Sequence, residues 1–225
     1  MKKILLFFSL FGVLSAYAGN GRSDDGMKPM SFYGIDFSMV KVSGASESGR
    51  EFMEAFGGIN GLFLSEPDKY IVPLEKRLSV QFSRVSLDAV FDRNAKIDPS
   101  ELHASGRGSF TEDLLQSEID RLDVSGDGIG LVVVACELDK GTDIGTYYYV
   151  FFRESDKKIL KYWEKRGASG GIGLRNYWAR SFYRTIKSIN PSDLDIRLGI
   201  ARSSVTSAVK QAASGLSEAL DKIAQ

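Results

Sequence analysis

Apolar and polar positions along the chain fall into blocks of two different periods. Over FYGIDFSMVKV, Phe32–Val42, Tyr33, Ile35, Phe37 and Met39 alternate with Gly34, Asp36 and Ser38, the period-two pattern of a first strand. Ser48 with Glu51 three residues on forms a capping box. The helix it opens carries Phe52, Phe56, Ile59 and Phe63 at helical spacing, weakened towards its end by Gly57, Gly58 and Gly61. Leu87–Ala95 reads as a short helix, ended by Ile97-Asp98-Pro99 because a residue before proline avoids the helical region. Thr111 caps a further helix with Glu112 and Asp113 in its first turn and Leu114, Leu115, Ile119 and Leu122 on its apolar side.

The clearest block is residues 129–166. IGLVVVACEL is continuously apolar, as a central strand covered on both faces requires. TYYYVFF and KILKYWEKR follow across the short polar turns DKGTDIG and RESDK, which predicts an antiparallel meander. A helix from about Leu174 to Ile189 comes next and stops before Pro191. The last segment, residues 191–225, holds one more amphipathic helix, with Val205, Ala208, Val209, Ala212, Leu216, Ala219, Leu220 and Ile223 in one stripe. Its polar face mixes Lys210, Gln211, Glu218 and Asp221, which suits docking on the domain or on a partner helix, self-association included, rather than a membrane surface. Together these elements predict an α+β fold: a mixed, largely antiparallel sheet with packed helices, over residues 31–190.

The ends change the picture of compartment. Lys2 and Lys3, the apolar run Ile4–Leu14 and Ala16-Tyr17-Ala18 have the charge, length and A-x-A ending of a secretory signal peptide. The run is too short to span a bilayer, and no cysteine follows the cleavage site to carry a lipid. Cleavage after Ala18 and a polar, disordered leader over residues 19–30 are expected, giving an exported, periplasmic or extracellular chain. Without residues 1–18 the chain has 27 basic and 29 acidic residues, which argues against nucleic acid as a partner.

Candidate chemistry is sparse. Cys136 lies in an apolar run, where the thiolate is disfavoured, so it reads as inert. Asp123, Ser125, Asp127 and Gly128 match the first half of a calcium loop, but position twelve is Val134 instead of a bidentate glutamate, and an Asp/Gly turn fits better. His103 is the only histidine, in a stretch that reads as a mobile loop, and no zinc spacing occurs, so neither a metal nor a cofactor is expected. In GASGGIGLRNYW, Gly167–Trp178, no lysine follows a glycine as a Walker loop needs, and Asn176 stands where the last glycine of the dinucleotide fingerprint belongs. A weaker reading remains, with Gly170, Gly171 and Gly173 opening the backbone at a helix start and Arg175 close by, a site for an anion or small molecule. A helical wheel places Arg175 within the apolar arc of Leu174, Trp178, Phe182, Ile186 and Ile189, so a carboxylate partner at the core edge is expected otherwise.

At Tyr33–Ser38, Asp127–Val132 and Gly171–Trp178 the chain resembles an exported family common in Bacteroidetes, marked by a YGIDFS-like first strand and a GxGxRNYW signature. That family carries no established activity, so the resemblance implies no catalytic residues. In element order the chain is more distantly similar to envelope domains of the LpoB, CsgG and TolB N-terminal type, which act by protein contact and assembly. The resemblance implies a non-enzymatic envelope protein with another envelope protein as partner; an anion-binding or enzymatic site at residues 167–178 is the alternative.

Overall fold

The computed structural model describes residues 29–104 and 110–190. The expected signal peptide, most of the leader and the C-terminal amphipathic stripe, with the self-association assigned to it, lie outside the described residues. The fold is α+β, with a mixed six-stranded sheet. In chain order the elements are β1 (Met30–Asp36), β2 (Lys41–Ser43), α1 (Gly49–Ser65), α2 (Pro67–Leu78), β3 (Phe82–Val85), α3 (Asp88–Asn94), α4 (Glu112–Asp120), β4 (Ile129–Asp139), β5 (Ile144–Arg153), β6 (Ile159–Ala168) and α5 (Leu174–Ser188).

The strand order is β3-β1-β4-β5-β6, with β2 also on β4. The β4–β5–β6 meander is antiparallel as expected, with Val133 opposite Tyr149 and Tyr149 opposite Trp163. The other half is parallel: β1 runs alongside both β3 and β4, and β2 alongside β4. Successive side chains of β5 point to opposite faces. Tyr147 and Tyr149 meet Phe182 of α5 on one face, and Phe110, just before α4, stacks on Tyr148 on the other. Helices α1 and α5 share the first face, where Phe63 contacts both Phe32 of β1 and Phe182.

β1 departs from the alternating pattern of its sequence, because all seven residues are buried. Phe37 stacks on Phe56 of α1, while Tyr33 faces Phe152 and Glu154 across the sheet. Between them the register slips at Gly34, where φ is +91° and a side chain would strike Asn60 and Leu87. β3 pairs with β1 only as far as Phe32. Beyond that point two buried amides replace the missing strand. Ile35 N–H donates to Asn60 Oδ1, Asn60 and Asn94 both donate to Ile35 C=O, and Phe37 N–H donates to Asn94 Oδ1, all at 2.8–3.0 Å. The edge of β1 is thus satisfied by helices, as buried backbone requires.

α2 was not legible as a separate helix; Pro67 starts it and Ser79, at φ +56°, ends it in the left-handed conformation. Among the described residues no helix is long and apolar enough to cross a membrane.

Candidate functional site

β1 is where the sheet changes direction. The next long connection, through α1 and α2, leads to β3 on one side of β1, and the one after, through α3 and α4, leads to β4 on the other. The chain thus leaves the carboxyl end of β1 for β3 on one side and returns past β1 to β4 on the other. A crevice lies beside that carboxyl end, outside the strand ends where open α/β sheets hold ligands. A cleft of about 390 Å³ occupies this crevice, lined by Ser38, Val40, Lys41, Arg93, Lys96, Ile97, Asp98, Glu101, Leu102 and Arg121.

The cleft floor is a charged network. Asp36, the last residue of β1, is 1% exposed, and Glu118 of α4 is 3% exposed. Arg93, just before the end of α3, reaches both: its Nε donates to Asp36 Oδ2 at 2.8 Å and its terminal nitrogen pairs with Glu118 Oε2. The planar guanidinium fork makes one arginine sufficient for two carboxylates. Arg93 also donates to Ser38 Oγ at 2.7 Å, while Ser38 N–H donates to the other oxygen of Asp36 at 2.8 Å. Arg121 donates to Glu118 Oε1 at 2.6 Å from the solvent side. Each buried carboxylate thus has both oxygens bonded, the condition under which buried charge is tolerated.

The walls differ from the floor. Val40 and Leu102 are buried and Ile97 is packed against the core, which gives the cleft an apolar side. Lys41 donates to the carbonyl of Glu101 at 2.9 Å and forms no ion pair among the described residues. Lys96 is exposed, and among the described residues no acidic side chain lies within ion-pair distance of it. Asp98 is occupied locally: it accepts from the Ser100 hydroxyl and amide, which holds its carboxyl below the usual range.

The Gly-rich turn is built differently from its sequence reading. Gly170, Gly171 and Gly173 all have positive φ, at +142°, +120° and +79°, so backbone conformation explains these glycines. Arg175 is a correction. It is exposed, it bonds Asn176 Oδ1 at 3.1 Å, and among the described residues it forms no ion pair, so the expected carboxylate at the core edge is not there. The physical reason is Gly58 of α1: a side chain there would come within 2.8 Å of Arg175 Cδ, so the bare backbone accommodates the arginine stem while the guanidinium reaches water. The turn is braced against the β4–β5 hairpin. Ser169 donates twice to the Asp143 carbonyl, at 2.7 and 2.9 Å, and the Tyr177 hydroxyl donates to the Asp143 carboxylate. At its tip Ile172 stands 93% exposed.

The remaining candidates are structural. His103 bridges to β2 at Val42 and meets the Phe52 ring edge-on, which ties down a residue expected in a mobile loop. Cys136 is buried in β4. In the calcium-like stretch, Gly128 N–H donates to Glu154, and among the described residues no group of three or more His, Cys, Asp and Glu side chains converges as a metal ion needs. Sequence reasoning did not find Arg93, Glu118, Arg121, Lys41 or Lys96. The one local signal was Asp36, a carboxylate ending an otherwise apolar strand.

No protein-family model, curated protein or solved structure matches the chain.

Proposed function

We propose that this chain is a non-catalytic, exported envelope protein that works as a binding module, with its ligand site in the cleft at the carboxyl end of β1. The observation that carries this reading is the position of the cleft, at the carboxyl end of β1 where the strand order reverses, over a fully bonded Asp36–Arg93–Glu118–Arg121 floor. Binding is favoured over catalysis by the floor itself. Both carboxylates are held by arginine, and the Ser38 hydroxyl is held between Arg93 and Glu118, so these groups position rather than react. Export rests on the n-region, apolar run and A-x-A ending of residues 1–18.

Native mass spectrometry of the protein purified from its own exported fraction tests this reading. A small-molecule mass should accompany wild type and be missing from Ile97→Trp, whose ring fills the cleft. A bound mass that persists in Ile97→Trp places the ligand elsewhere and defeats the proposal.

One observation favours a second reading, in which another envelope protein docks on the Gly-rich turn. Ile172 is held out on a braced turn beside Arg175, so an apolar anchor and a cation are presented with little conformational entropy left to lose. Ile172→Asp should then abolish capture of that partner from an envelope extract without moving the unfolding midpoint. Retained capture would count against it.

A further inference from the structure

Resting on the reading of the cleft as a ligand site, we propose that its ligand is a small organic anion, with a phosphate or carboxylate head on a short apolar body. The charges at the cleft divide into two sets. Asp36 and Glu118 are consumed by Arg93, and Glu118 also by Arg121, so the floor is internally balanced and has no reason to attract either sign. Around the mouth the balance is different. Among the described residues Lys96 forms no ion pair, and Lys41 forms none either and bonds the Glu101 carbonyl. Arg121 spends one nitrogen on Glu118 and keeps the rest of its guanidinium in solvent, its side chain being 64% exposed. Of the two acids in the lining, Asp98 stays ionised and accepts from Ser100, and Glu101 offers the Lys41 ammonium only its backbone oxygen.

Two lysines and the outward nitrogens of Arg121, whose charge already balances the floor, therefore meet at one opening with donor capacity to spare, the arrangement that recognises an oxyanion. Val40, Ile97 and Leu102 supply an apolar wall in the same cleft, so a bare inorganic ion would leave part of the surface unused. A head-and-body ligand uses both.

Titration calorimetry of the full chain with four probes of equal tail length tests this: hexyl phosphate, hexanoate, hexanol and hexylammonium. Hexyl phosphate or hexanoate should bind saturably, and the stronger of the two identifies the head group. Lys96→Gln and Lys41→Gln should each weaken that binding by about tenfold, while Lys161→Gln on β6 should leave it unchanged. Because Lys96 is exposed, its substitution keeps the fold, which a matching unfolding midpoint verifies. Affinity indifferent to Lys96→Gln and Lys41→Gln, or hexanol or hexylammonium binding as tightly as the anions, overturns the anion assignment. If a neutral or cationic mass is carried by wild type and lost in Ile97→Trp, the cleft remains a ligand site and only its chemistry is wrong. Absence of a bound mass together with absence of probe binding removes both.

Discussion

Arg93 and Arg175 show how surroundings decide what a charged side chain contributes. The Arg93 side chain is 12% exposed and holds two buried carboxylates. Arg93→Met leaves Asp36 without a cation and Glu118 with Arg121 alone, and removal of one partner of a buried pair costs about 3–5 kcal/mol. Arg175→Met keeps the stem that covers Gly58 and loses only a solvated charge, so its effect should stay within about 0.5 kcal/mol. Guanidinium unfolding of the two variants checks the contrast, and equal losses would contradict the roles given to them. The glycines of the turn divide in the same way. A side chain on Gly173 meets nothing within 4 Å, so Gly173→Ala should lose about 1 kcal/mol through its positive φ alone. At Gly167 the added carbon would sit 2.1 Å from the Ser181 carbonyl, so Gly167→Ala should lose distinctly more, read from the same unfolding curves. The helical wheel could not distinguish these cases. It gave Arg175 the correct angle on α5 but contained nothing about Gly58, some 117 residues earlier in the chain.

At the scale of elements, legibility followed the range of the interactions. The β4–β5–β6 meander, α3 and α5 were readable within a residue or two because their periodicity, caps and turns are local. β2 and β3 were not. β3 has four residues, two of them exposed, and it is a strand because β1 lies beside it. Without β3 the parallel half of the sheet could not be seen, and the crevice beside β1 disappeared with it. The amides that finish the edge of β1 are equally non-local, since Asn60 and Asn94 sit on helices 25 and 59 residues from Ile35. Asn94→Leu should lose about 1–3 kcal/mol for each backbone group left unsatisfied, and exchange of the Phe37 amide should accelerate. Unchanged protection at Phe37 would show that Asn94 is not its partner in solution.

The whole molecule gathers its candidate features at one end. β6 runs in the same direction as β1 and β4, because two antiparallel steps separate it from β4. The Gly-rich turn after β6 and the cleft after β1 therefore share an edge of the sheet, their strands roughly 14 Å apart by three inter-strand spacings. The core is rich in tyrosine, and that sets a pH dependence. Burial, then the Glu154 carboxylate it donates to, pushes Tyr33 up to about 12, and burial raises Tyr147 and Tyr149 as well. In the unfolded chain these hydroxyls ionise near pH 10, as free tyrosine does. Their contribution is complete below that value and is lost as pH rises through the folded one, by at most about 1.4 kcal/mol per pH unit for Tyr33. Denaturant midpoints should fall steeply above about pH 10, less so in Tyr33→Phe, and a flat profile would contradict the burial of these groups.

The central claim, that the carboxyl end of β1 is a ligand site, is tested most directly by a crystal structure of the protein isolated from its native source without refolding. The expected result is density for a small molecule in the cleft, its acidic head within hydrogen-bond distance of Lys96, Lys41 or Arg121 and its body against Val40, Ile97 and Leu102. Ordered water alone in the cleft, with a bound molecule or partner at the Gly-rich turn or elsewhere, would contradict it.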